Sequence, residues 1–328
     1  MFRDYFSQQI KLHPSMQPQD IIKLCYQAAF GAEHLLGDIE RVKGYFDEEF
    51  SNIPEGDGPL VEFISGDVCR VNLAAWKKLG LTSEWLFNLF VLSAGVKHKG
   101  GEKLFWRYLS EALPSRDDWP DVAKPVHHSN IYRENEKPSY RVISGEYVRL
   151  LPILERIDKN CAVIAIDGRA ASGKSTMASQ LSKITGASVV HMDDFFLPKE
   201  LRTVERLETP GGNFHHERFS NEVLPFLRSG NALSYKIFDC SRMDFNGVRE
   251  VAKSPLRILE GAYSCHPILE DYMDLRVFSD ITPQEQHARI KKRNGTEIAA
   301  DYANKWIPME EEYLQFHQIK NLAQVIAP

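Results

Sequence analysis

No run of about 18 uninterrupted apolar residues occurs anywhere in the chain, so no segment reads as a helix that crosses a bilayer. The amino terminus, Met1-Phe2-Arg3-Asp4-Tyr5-Phe6, lacks the apolar core of a secretory signal. Cysteine is sparse and unpatterned: Cys25, Cys69, Cys161, Cys240 and Cys265 form no C-x-x-C pair, and their odd number completes no internal disulfide framework. Reduced thiols in a soluble, cytoplasmic protein are expected. Positive charge is not in excess either. With 40 Lys and Arg against 45 Asp and Glu, the net charge of −5 excludes nucleic acid and anionic membrane as partners held by bulk electrostatics. Internal repeats and low-complexity tracts are absent.

What is present is an ordinary globular composition, 43% hydrophobic and 26% charged over 328 residues. That length exceeds the usual single domain, so two are expected, 1–157 and 158–328, divided at Asp158-Lys159-Asn160. The first half shows helical spacing. Asp20 to Leu36 places Ile21, Leu24, Cys25, Ala28 and Leu35 near one face, with Asp20 as N-cap. Further helices are predicted over Trp85 to Ala94, Glu102 to Leu113, and Gly145 to Ile157, the last containing Pro152. Only Leu60 to Ile64 looks like a strand. Pro114 to Pro138, with Asp117-Asp118-Trp119-Pro120 and Glu134-Asn135-Glu136-Lys137, reads as a loop or surface excursion. Tyr132, Arg133, Tyr140 and Arg141 either reach a phosphate or carboxylate or lie at the surface. Trp76, Trp85 and Trp106 fall within helical patterns and read as core.

From Cys161 onward the pattern changes. Cys161 to Ile166 is a strand, Thr176 to Ile184 a helix, Ala187 to His191 a strand, Glu217 to Leu227 a helix and Pro255 to Leu259 a strand. Leu275 to Phe278, Pro283 to Lys292 and Ala323 to Ile326 continue as strand, helix and strand. Such alternation predicts an α/β fold whose parallel sheet carries helices on both faces, beside a mainly helical amino-terminal domain. Ligands of such sheets bind at the carboxyl ends of the strands.

At the first of those ends stands Gly168-Arg169-Ala170-Ala171-Ser172-Gly173-Lys174-Ser175, which fits G-x-x-x-x-G-K-[ST] between strand and helix. Glycines let backbone N–H groups turn onto phosphate oxygens, and the helix N-terminus adds partial positive charge. Gly168, Ala170, Ala171, Ser172, Gly173, Lys174, Ser175 and Thr176 are the nucleotide-binding candidates. Lys174 would reach the β- and γ-phosphates of ATP, and Ser175 would ligate Mg²⁺. Two acidic strand ends face the same way. Asp193 is assigned the proton of an attacking hydroxyl, and Glu260 a water on Mg²⁺. Arg289 and Arg293, at i and i+4, share a helix face that could neutralise a transferred phosphoryl group. The pairs His127-His128 and His215-His216 lack the i, i+4 spacing of a helical zinc site and read as loop histidines.

Together the phosphate loop, Asp193-Asp194-Phe195-Phe196, Asn213-Phe214-His215-His216, Phe238-Asp239 and Glu260-Gly261 resemble the uridine kinase and phosphoribulokinase group of P-loop kinases over about residues 160 to 328. The resemblance implies that Asp193 is the catalytic base, with Phe196 where uridine kinases carry tyrosine. It also implies that Asn213, His215, Phe238, Asp239 and Arg242 lie around the acceptor. His215 stands where that group has a ribose-binding aspartate, and Cys240-Ser241-Arg242 where it has a base-reading histidine. A neutral imidazole does not accept two hydroxyl bonds, so the departures point away from uridine and leave ATP-dependent phosphorylation of a small hydroxyl compound. The competing class is a nucleotide-dependent switch or binding module whose amino-terminal domain contacts a partner protein. The missing guanine-reading Asn-Lys-x-Asp weakens its GTPase form. Oligomeric state is left open.

Overall fold

The longest uniformly buried strand among the described residues, Val163–Gly168, is the strand that enters the phosphate loop. The computed structural model describes residues 2–32, 37–98, 100–113 and 127–328, and the chain divides into two units, Met1–Leu151 and Pro152–Pro328.

The first unit builds on helices Phe2–Leu12, Pro18–Phe30, Ile39–Asn52, Leu73–Lys78, Ser83–Ala94, Gly101–Ala112 and Asn130–Glu136. It also contains a sheet that the sequence revealed only in part: β1 (Val61–Ser65), β2 (Val68–Asn72) and β3 (Tyr140–Ser144), antiparallel in that order. β2 escaped notice because Arg70 interrupts its apolar run, yet Arg70 is buried beneath the Tyr140 ring of β3, 4.0 Å from its centroid. Asp20 is not an N-cap. The helix opens at Pro18, and the buried Asp20 carboxylate lies in its first turn, accepting from the Gln17 N–H (3.0 Å) and from the N–H and hydroxyl of Ser129. The helix ends at Gly31, and Leu35 lies outside the described residues.

Gly145 to Ile157 is not one helix but a 3-10 stretch, Gly145–Leu150, followed by the short helix Leu151–Leu154, because Pro152 cannot donate into a longer ladder. Glu134 to Glu136 close a helix rather than a loop, whereas Asp117-Asp118-Trp119-Pro120 lies outside the described residues. Trp76 is fully buried and its indole donates to the Thr82 carbonyl, but Trp106 is 41% exposed.

The second unit is an α/β layer. β4 (Val163–Gly168), β5 (Ser188–His191), β8 (Arg257–Glu260), β9 (Leu275–Ser279) and β10 (Val325–Ala327) form a parallel sheet in the order β10-β9-β4-β8-β5. A separate antiparallel hairpin, β6 (Leu233–Asp239) with β7 (Asp244–Val251), was not foreseen, because β7 is exposed along almost its whole length and carries no apolar period. Since β4 lies between β8 and β9, the order reverses beside it and opens a crevice at its carboxyl end. The helix predicted over Glu217 to Leu227 is shorter, His216–Glu222, with a 3-10 turn at Leu224–Phe226. None of the described helices is long and apolar enough to cross a membrane.

Candidate active site

Gly168 ends β4 opposite Ser279 of β9. Its φ is +132°, and a Cβ there would lie 2.1 Å from the Ser279 carbonyl oxygen, so only glycine lets the chain leave the sheet so close to its neighbour. The loop then turns into the helix Lys174–Thr185. Arg169 pins it from outside through ion pairs to Asp280 and to Glu311 (2.5 Å). Beneath it, fully buried Asp167 accepts from the Gly168 N–H (2.7 Å), the Cys265 N–H (2.9 Å) and the Tyr313 hydroxyl (2.7 Å), while burial pushes its carboxyl pKa up.

A cavity of about 810 Å³ opens in front of the loop, within the usual range for small-molecule sites. Lys174, Ser175, Asp193, Glu260, Arg289 and Arg293 all line it. The Lys174 ammonium donates to the carbonyls of Gly168 (2.7 Å) and Arg169 (2.9 Å). The Ser175 hydroxyl donates to one oxygen of the buried Glu260 carboxylate at 3.0 Å, and His191 Nδ1 lies 2.5 Å from the other. Adjacent hydroxyl and carboxylate oxygens are the hard donors that suit Mg²⁺, which completes its shell with water and phosphate. Among the described residues, no group of three or more His, Cys, Asp and Glu could hold a metal by itself.

Local packing separates the two neighbouring aspartates. Phe195 is fully buried, with ring centroids 5.1 Å from Phe219 and 4.9 Å from Tyr235, and burial of one such side chain is worth about 2–3 kcal/mol. That anchor fixes the turn Met192–Phe195. Asp194 is thereby turned inward onto Arg249 Nε at 2.6 Å. Asp193 makes no ion pair or hydrogen bond among the described residues and opens to the cavity. Although solvent reaches it, the protein crowded around the carboxyl pushes its pKa up; Glu260 and Asp194 add to the rise and Lys174 opposes it. Gly261, at φ +133°, keeps the β8 turn close, since a Cβ there would come 2.8 Å from Met192 Cβ and 3.4 Å from the Asp193 carboxylate.

The cavity takes up Ala170, Ala171, Gly173 and Thr176 of the loop, whereas Ser172 is buried behind it. The Arg289 guanidinium reaches the carbonyls of Ala171 (3.2 Å) and Ser172 (3.3 Å), and Arg293 Nε donates to Asn294 (2.8 Å). Of the residues expected around the acceptor, Asn213 lines the cavity with a buried, unpartnered side-chain oxygen. The other four are engaged elsewhere. His215 caps its helix by accepting from the Arg218 N–H (3.1 Å), Phe238 is buried edge-on to Phe245 (5.8 Å), and Asp239 accepts from the Ser241 N–H and hydroxyl, with exposed Arg242 3.8 Å away. Instead the hairpin turn reaches the cavity through Cys240, Ser241 and Met243.

Sequence reasoning also missed the carboxy-terminal wall. Tyr302 and Trp306, at the two ends of a π-helical turn, and Glu310, in the helix Ile307–Phe316, line the cavity without belonging to any spacing motif. Glu310 is 6% exposed and accepts from the Ala170 N–H at 2.6 Å. Burial pushes its pKa up to about 7, helped by Asp167 and Glu311 and opposed by Lys174 and the Ala170 amide. Because the folded chain holds that proton more tightly than an ordinary glutamate, the stabilisation is full below about pH 4.5 and is lost as pH rises through about 7. Glu310→Gln keeps an acceptor for Ala170 and removes the titration. Chemical denaturation should therefore find that the variant gains on the order of 3 kcal/mol over the parent between pH 5 and pH 8. Parallel pH profiles for the two proteins would refute this.

No protein-family model matches the sequence. Among solved structures, the chain is similar to a protein described as a possible uridine kinase from Bacillus stearothermophilus, with a TM-score of 0.43 and 22% identity, over 56% of this chain and 98% of that one. It is also similar to one described as a "putative fructose transport system kinase" from Silicibacter sp. TM1040, with a TM-score of 0.45 and 22% identity, over 54% of this chain and 96% of the other.

Proposed function

We propose that the second unit is an ATP-dependent phosphotransferase that phosphorylates a hydroxyl of a small molecule. The observation that carries the reading is the division of labour between two acids on one cavity, Glu260 beside Ser175 and Asp193 left free, while the neighbouring Asp194 is turned away onto Arg249. The loop amides and Lys174 would hold the phosphates of ATP, exchanging the lysine's present carbonyl partners for phosphate oxygens. Ser175 and Glu260 would hold Mg²⁺, which supplies charge neutralisation at the β- and γ-phosphates. The Asp193 carboxylate takes the proton of the acceptor hydroxyl as its oxygen bonds to the γ-phosphorus. The bond from that phosphorus to the β,γ-bridging oxygen breaks, and ADP leaves. A raised carboxyl pKa makes Asp193 a stronger base than an ordinary aspartate. Arg289 and Arg293, which line the cavity, would neutralise charge on the phosphoryl group in transit.

Nucleosides, sugars, vitamins and amino alcohols assayed for acceptor-stimulated ADP release test the reading directly. One class should stimulate release, with phosphate recovered on the acceptor and dependence on Mg²⁺. ATP binding with no transfer to any acceptor would favour the switch or binding module.

A further inference from the structure

A second cavity, of about 930 Å³, lies in the first unit and is lined by Lys23, Arg133, Lys137 and Arg141, with Glu49 as its carboxylate. Arg141 and Glu49 satisfy each other at 2.5 Å. Lys23, Arg133 and Lys137 have no side-chain hydrogen bond or ion pair among the described residues. The nearby acid Asp20 is already occupied by Ser129, Gln17 and His128 Nδ1 (2.9 Å). His128 adds no charge of its own at neutral pH, since burial pushes it down to about 4.

More positive charge stands behind this wall. Arg70, 6% exposed, donates to Tyr5 Oη (3.2 Å) and Gln27 Oε1 (2.8 Å), and its Nε is buried without a partner. The Ser139 hydroxyl, on the cavity wall, is likewise buried and unpartnered. The rest of the lining includes Val42, Ile53, Phe90 and Val142. A cavity of this size with an apolar side and surplus cations fits an organic anion rather than a bare ion.

We propose that this cavity binds a small organic phosphate, its dianionic head held by Lys23, Arg133 and Lys137 and its apolar body against Val42, Ile53 and Phe90. A phosphate dianion matches three unpaired cations better than a single carboxylate does, and it offers three strong acceptor oxygens. The repulsion that such a ligand would relieve is already visible. Lys23 is pushed down to about 8, by burial first and then by Arg70 and Arg133, with Asp20 opposing and Arg141 adding a smaller push. This site is independent of the phosphate loop, whose residues all belong to the second unit.

Calorimetric titration of the full chain with phenyl phosphate tests the proposal, in a Lys174→Met background that weakens phosphate capture at the loop. One equivalent should bind, and Lys23→Met and Arg133→Gln should each weaken binding at least about tenfold. Benzyl alcohol, of similar shape and no charge, should not bind. Arg133 is exposed, so its variant decides the matter even if Lys23→Met loses its thermal transition. Unchanged affinity in Arg133→Gln, or no saturable binding once Lys174 is replaced, would overturn the proposal.

Discussion

Asp193→Asn is expected to lower the turnover of phosphoryl transfer about 10²- to 10⁴-fold, the range for loss of a general base, while nucleotide affinity stays near that of the parent. Asn keeps the shape of the side chain but cannot take up the acceptor's proton. The substitution also removes a negative charge that Glu260 and Asp194 repel, so the variant should fold at least as well as the parent. A fall in rate would then be chemical rather than structural. In the parent, the rate should drop on acidification at a pH above the usual aspartate range, because the carboxyl pKa is raised by its surroundings. Single-turnover transfer and nucleotide titration of the same preparation separate the two effects. An Asn variant that transfers phosphate at the parental rate removes Asp193 from the mechanism.

Gly168→Ala should be the most damaging small substitution in the loop. The added methyl would lie 2.1, 2.8 and 2.9 Å from the O, N and C of Ser279, all backbone atoms of a paired strand with no rotamer to swing away. The φ of +132° adds strain of its own for an L side chain. Relief requires β4 to part from β9 at the point where the sheet supports the loop. A loss of about 4 kcal/mol or more is expected, equivalent to a fall in Tm on the order of 10 °C for a unit of this size. Thermal melts with and without nucleotide report both the stability and the loop; a variant that melts within 2–3 °C of the parent, roughly 1 kcal/mol, would contradict the steric argument.

The parts of the molecule that were readable in advance are those in which one residue type has one physical use. Glycine at 168, lysine at 174 and the acids that follow β5 and close β8 carry their meaning in their spacing: the structure brings Lys174, Asp193 and Glu260 to one cavity and sets Gly168 against the Ser279 backbone at the root of the loop. Residues whose role comes from tertiary neighbours were opaque. Arg70 interrupts a strand pattern that only the Tyr140 ring makes sense of, and the exposed β7 has no apolar face to register. Glu310 stands in a run of three glutamates, and nothing local distinguishes it from Glu311 and Glu312. What sets it apart is a contact with Ala170, 140 positions earlier in the chain. His215, Phe238, Asp239 and Arg242 were assigned by analogy of position, whereas the folded chain uses them for a helix cap, a ring packing and a turn.

Glu310, resting on the loop amide of Ala170 with its ionisation poised near neutrality, has a consequence for how a polyanion arrives. Negative charge entering the cavity makes the ionised form of that side chain costlier, so docking should draw hydrogen ions from solution at about pH 7. The heat of ATP binding would then vary with the ionisation enthalpy of the buffer, differing between Tris and PIPES for the parent and coinciding for Glu310→Gln. Equal heats in both buffers for the parent would mean that the carboxyl does not respond to the nucleotide.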